Sequence, residues 1–286
     1  MRGVRGVLAG QPAARRVPGR NFTRRSPFTE EYIRMGQVIA VANQKGGVGK
    51  TTTAVNLSAC LAASGKKTLL VDLDPQGNAG SGLGIDKNAL ENTLYDALVN
   101  ETPMAECVID TPVAKLRMVP SNKDLVGAEV ELVDVERREY RLREALESVR
   151  GDYPYIIIDC PPSLSLLTVN GLAAADGVLV TLQCEYYALE GLSELLQTII
   201  LVRDNLNKPL KLQGVLLTMY QHTNLSKQVV ADVRSHLGDK VFQTIIPRNV
   251  TLSEAPSFGQ PVIHYDPKSP GAVAYVALAR ELISRG

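Results

Sequence analysis

Apolar residues fall in short unbroken runs along this chain, and the runs alternate with stretches of helical period. Residues 38–43 (VIAVAN), 68–74 (TLLVDLD), 155–159 (YIIID) and 177–183 (GVLVTLQ) are continuous apolar segments of strand length, as are 116–120, 213–218 and 241–246. Runs of this kind predict strands covered on both faces. Helical spacing marks 49–64, about 90–98, 164–174, 189–205, 225–237 and 271–285. A charged stretch from about 123 to 149, with Glu and Arg at helical spacing, predicts one long helix. Residues 75–116 otherwise read as irregular. Strands alternating with helices predict an α/β fold, a doubly wound, mostly parallel sheet flanked by helices. No linker or internal repeat interrupts 35–286, which is expected to form a single domain.

The N-terminal stretch has no such pattern. Residues 1–34 hold Gly, Pro and eight of the 31 basic residues against two acids, Glu30 and Glu31. The rest keeps 23 basic and 28 acidic residues, a net of −5. The tail is expected to be disordered. It reads as a basic arm, a weak targeting segment or an over-extended reading frame, since Met35 looks like a natural start. The core must rest on Val, Leu, Ile and Ala, because aromatics are 5% of the chain and Trp is absent. Cys60, Cys107, Cys160 and Cys184 form no CxxC pair and lie at no metal-ligand spacing from a His, which points to reduced thiols in the cytoplasm. No apolar run approaches membrane-span length, so no membrane association is expected.

Between the first strand and first helix stands Gln44-Lys45-Gly46-Gly47-Val48-Gly49-Lys50-Thr51, followed by Thr52. A Walker A loop reads GxxxxGK[ST]; Gly49, Lys50 and Thr51 fit, while Gln44 replaces the leading Gly and an extra Lys45 follows. Three glycines let backbone N–H groups turn inward to line an anion-sized nest. The helix beyond aims its N-terminus at the same place. Lys50 is suited to reach β- and γ-phosphates, and the Thr51 hydroxyl to ligate Mg²⁺. The expected ligand is ATP with Mg²⁺. Asp74 and Asp159 are read as ending the second strand and the YIIID strand, where ligands gather in an open α/β sheet. Asp159 is the candidate Walker B metal residue. Asp74 is the candidate to orient the attacking water near the metal.

KGGVGKTT, VDLDPQGN at 71–78 and IIIDCPPSLSLLTVNGL at 156–172, with QCEYYALEGL at 183–192 and IPRNVTLSEAPSFGQPV at 246–262, resemble the ParA/Soj family of partitioning ATPases in order. The likeness runs from about residue 35 to the C-terminus. It implies a deviant-Walker-A ATPase in which two subunits sandwich two ATP molecules. Lys45 would then reach the partner's nucleotide, Lys50 and Thr51 serve the phosphates and Mg²⁺ in cis, and Pro247 and Asn249 flank the adenine. It also implies non-specific DNA binding by the ATP homodimer on the nucleoid, and a ParB-type partner that stimulates hydrolysis.

The sequence departs from that family where exposed arginines commonly bind DNA. His222 stands near one such place and Thr251 at another. Lys208, Lys211, Lys227, Arg234, Lys240, Lys268 and the Arg-rich tail are candidate replacements. A relative that positions another cargo, in division, flagellar or chemoreceptor machinery, is the second reading. The end of the chain, 272–285, reads as a packed helix and not as a basic membrane anchor. Cys160 beside Asp159 lacks the spacing of an iron–sulfur ligand set. A scaffold using ATP only as a structural ligand would not need Asp74.

Overall fold

The computed structural model of the chain describes residues 36–185 and 188–285. The basic segment 1–34 lies outside the described residues. From β1 (Gln37–Ala42) the chain enters α1 (Lys50–Ala63) and returns through β2 (Thr68–Asp72). The segment beyond is not irregular throughout. It holds α2 (Asn78–Gly82), α3 (Leu94–Leu98), α4 (Met104–Cys107) and the two-residue β3 (Ile109–Asp110), before β4 (Leu116–Val119). Then come α5 (Leu125–Glu131), α6 (Arg141–Glu147), β5 (Tyr155–Asp159), α7 (Leu166–Ala174), β6 (Gly177–Gln183) and α8 (Ala188–Asn205). The chain continues through β7 (Lys211–Tyr220), α9 (Asn224–Leu237), β8 (Val241–Pro247), α10 (Thr251–Glu254), α11 (Val262–Tyr265) and α12 (Pro270–Arg285).

The eight strands form one sheet in the order β3-β4-β2-β5-β1-β6-β7-β8. Pairing is parallel except between β3 and β4. Side chains alternate across the sheet, so each strand feeds two cores. Val38, Ala40 and Ala42 enter one, beneath α7 and α8; Ile39 and Val41 enter the other, beneath α1 and α12. That two-sided burial is why the strand runs are apolar without a break. Every strand of the parallel region therefore ends at one rim of the sheet, and the loop after β1 stands at the centre of it.

The long helix expected over 123–149 is broken. Two short helices, α5 and α6, flank a turn in which Arg137 adopts φ 57°. Val130, Val133 and Val135 around Asp134 weaken helical propensity there. Buried Asn170 of α7 then captures the turn. Its side chain accepts from Leu142 N at 3.1 Å and donates to Arg138 O at 2.9 Å. Tertiary hydrogen bonds replace the helical ones that periodicity suggested.

Candidate nucleotide site at the strand ends

The loop between β1 and α1 is shaped by its glycines. Gly47 and Gly49 hold φ of 72° and 87°, the left-handed region that costs a side chain strain. A Cβ at Gly46 or Gly47 would meet nothing within 4 Å, so open space faces these positions. Val48 is buried and anchors the loop, and Thr218 at the end of β7 donates its hydroxyl to Val48 O at 2.9 Å. Asn43 braces the entry: it donates to Thr181 O at 2.6 Å and accepts from Lys45 N at 2.9 Å. Neither Asn43 nor Thr218 was distinguishable from the sequence pattern, although an Asn closing an apolar run is a turn-former.

Lys50 opens α1 and is buried. Its ammonium donates to Lys45 O at 2.9 Å. Burial lowers its pKa, against the opposing pull of Asp159 foremost and of Asp74. Thr51 and Thr52 follow on the first turn, both half-buried. Lys45 stands on the outer rim, its side chain half exposed, 3.5 Å from Glu185. An exposed pair at that distance contributes little to stability, so Lys45 is held loosely.

Asp159 closes β5 and is fully buried, with neither carboxylate oxygen hydrogen-bonded. Burial drives its pKa well above the usual carboxylate range, and Asp72 and Asp74 push it the same way. The Thr51 hydroxyl and Lys50 oppose that shift. Two bare buried oxygens beside a lysine and a threonine hydroxyl form an oxygen donor set of the kind Mg²⁺ takes, directly or through water. The residues thus fit the metal expected here.

Asp74 does not end a strand. β2 stops at Asp72, and Asp74 lies two residues on, in a turn where its Oδ1 accepts from Gln76 N at 2.9 Å. It remains close enough to Lys50 and Asp159 to influence both. Asp72 is the residue that sequence reasoning missed. It is fully buried and pairs in register with Asp159 on the neighbouring strand.

Beside the loop lies a cavity of about 180 Å³ lined by Gly49, Thr52, Pro247 and Asn249, with Tyr275 on its wall. Asn249 Oδ1 is itself buried without a partner, near Gly271. The expected phosphate residues and the expected adenine residues therefore meet at one site, bridged by Gly49 and Thr52.

The expected DNA positions are divided between the two ends of the strands, with His222 and Thr251 following β7 and β8 on the rim of the candidate site. His222 is exposed, edge-on to Tyr220 with ring centroids 5.3 Å apart, and Thr251 is half-buried at the start of α10. Lys208, Lys211 and Lys240 line a groove of about 910 Å³ with Arg203 and Arg285. This groove is at the opposite end of the strands, where α8 and α12 terminate. Cations there offset the negative ends of helices. Lys227 and Arg234 stand on α9, and Lys268 precedes α12.

Known proteins are similar to this chain over most of its length. The family model described as an AAA domain matches residues 36–212. The chromosome partitioning protein ParA of Myxococcus xanthus is 58% identical over 89% of this chain and 90% of its own length. The sporulation initiation inhibitor protein Soj of Bacillus subtilis is 56% identical over 88% of this chain and all of its own, a coverage of 100%. Among solved structures, cobyrinic acid a,c-diamide synthase from Mycobacterium smegmatis, with bound ADP and magnesium, superposes with a TM-score of 0.77 at 40% identity, covering 87% of this chain and 94% of that one. With its Gly-rich loop, buried metal-type carboxylate and this identity along nearly the whole described sheet, the chain belongs to the ParA/Soj family of chromosome-partitioning ATPases.

Proposed function

We propose that this chain binds and hydrolyses Mg·ATP and that the ATP-bound form is a homodimer acting in DNA partitioning. The observation that carries the reading is Asp159: a fully buried carboxylate with two unpartnered oxygens beside the phosphate loop. Such a group is costly unless a cation joins it. The loop amides at 46–49 and the Lys50 ammonium grip the phosphates. Thr51 and Asp159 hold the metal, with Asp74 near it. Bound Mg²⁺ neutralises charge that develops on the phosphate oxygens during transfer.

Asp74 orients the attacking water from its turn. Pro247 and Asn249 enclose the base. Lys45 completes the cationic clamp on the partner's nucleotide. Its exposure and weak tie to Glu185 leave it free to do so. A lysine supplied in trans makes hydrolysis depend on dimerisation, so nucleotide state and assembly state switch together.

The protein so described works in the cytoplasm on the nucleoid, with a ParB-type partner to stimulate it. Among the described residues no helix is long and apolar enough to cross a membrane. Non-specific DNA binding must run through cations other than the two usual arginines, with Lys227 on α9 the nearest in sequence to His222 and Arg234 on the same helix. The reading is tested by light scattering with Mg·ATP. Wild type is expected to double in mass and Lys45→Ala to stay monomeric while still binding nucleotide. An unchanged mutant dimer refutes the role of Lys45.

A further inference from the structure

The turn that carries Asp74 hangs on one carboxylate beneath it. Asp72 Oδ1 accepts from Asp74 N at 3.2 Å. Its Oδ2 accepts from Ala79 N at 3.1 Å and from Gly80 N at 3.4 Å. Ala79 and Gly80 belong to the first turn of α2, whose own N-cap, Gly77, has no side chain to offer. Asp72 therefore caps that helix from a distance, and ties both ends of the intervening loop to the end of β2. Lys87 restrains the same loop from outside, donating to Gln76 O at 2.5 Å.

Register pairing brings Asp72 beside Asp159, and the contrast between them assigns their roles. Both are fully buried. Asp159 offers two bare oxygens, whereas both oxygens of Asp72 are engaged by backbone amides. The first is built to receive a cation and the second to hold a loop.

We propose that Asp72 is a positioning residue for hydrolysis: through three backbone amides it sets where the Asp74 carboxylate stands over the phosphate loop, without contacting nucleotide or metal. The inference rests on the functional reading above, in which Asp74 orients water. A misplacement of the order of 1 Å at such a group costs about 100-fold in rate. Binding of the nucleotide uses other residues and is left intact.

The test compares wild type, Asp72→Asn and Asp72→Ala by single-turnover hydrolysis of Mg·ATP, calorimetric affinity for a non-hydrolysable ATP analogue with Mg²⁺, and thermal melting. Asn is isosteric and neutral, so the fold is retained, but its amide nitrogen cannot accept and one end of the loop is released. Asp72→Asn is expected to lose about 10- to 100-fold in rate with analogue affinity within about twofold. Asp72→Ala, releasing both ends, is expected to lose more. Hydrolysis by Asp72→Asn at the wild-type rate overturns the proposal. So does a fall in analogue affinity in step with the rate, which would make Asp72 a ligand. If Asp72→Ala does not fold, Asp72→Asn decides alone. If wild type itself neither binds nor hydrolyses Mg·ATP, the functional reading fails and this inference with it.

Discussion

Asp72 and Asp159 face each other across neighbouring parallel strands, and only Asp72 has its carboxylate satisfied. Burial pushes Asp72 up to about 7 from 3.8, and Asp159 well above its usual range. On these two carboxyls the nucleotide-free fold therefore holds more protons than the unfolded chain between about pH 4 and about pH 7. Its stability should fall as pH rises through that window, the opposite of a salt-bridged carboxylate. Asp159→Asn removes one member of the pair. Urea denaturation without nucleotide should show a flatter pH dependence and greater stability at neutral pH in the variant, together with loss of Mg²⁺-dependent hydrolysis. Lower stability at neutral pH would mean the carboxylate is paired in a way not seen here.

Glu281 on α12 behaves in the ordinary direction. Burial raises its pKa, but the amides of Gln243 and Thr244 and the Arg285 guanidinium outweigh this and hold it below 4.5. It accepts from Gln243 N at 2.7 Å, Thr244 N at 2.9 Å and Arg285 at 2.7 Å, which docks α12 on β8. Its contribution is present above about pH 4.5 and is lost as pH falls through the lowered value. Glu281→Ala should cost about 2 kcal/mol at neutral pH, as charge-assisted hydrogen bonds do. Denaturation across an acid series should show the difference between mutant and wild type shrinking as pH falls below about 4.5.

Gly259 crosses Gly84 back to back. A Cβ at Gly259 would lie 2.6 Å from Gly84 Cα, and the residue holds φ 63°. Gly259→Ala should therefore destabilise by about 1–3 kcal/mol, a Tm shift of several degrees. An unchanged Tm would show that the segment after the base cavity moves freely against the turn at Gly84.

How legible was this in the sequence? The unbroken apolar runs located the central strands, because burial on both faces leaves no room for polar alternation. The Gly, Lys and Thr of the loop at 44–51 marked the candidate phosphate site. The division of labour within VDLD was not legible. Asp72 and Asp74 are the same residue type two apart, and what separates them is amides at Ala79 and Gly80, seven and eight positions on. The break at Arg137 was hidden for the same reason: the groups that hold it open belong to Asn170. Local pattern reports periodicity, and such distant hydrogen bonds override it.

The substitutions at the usual arginine places also carry an expectation. Non-specific DNA affinity follows the number of phosphates neutralised, with a salt slope of about −0.9 per contact. His222→Arg and Thr251→Arg should each tighten DNA binding of the ATP form and steepen its salt dependence by about one per subunit. Gel shifts across a salt series measure this directly. An unaltered slope would place the DNA surface elsewhere.

The proposed activity depends on the amides of 46–49, Lys50 and Asp159 forming one Mg·ATP site. Titration calorimetry of folded wild-type protein with a non-hydrolysable ATP analogue, with and without Mg²⁺, is the direct measurement. Saturable heat at one nucleotide per chain, weakened without metal and abolished in Lys50→Ala, is the predicted result. Folded protein that gives no binding heat with the analogue and Mg²⁺ would contradict it.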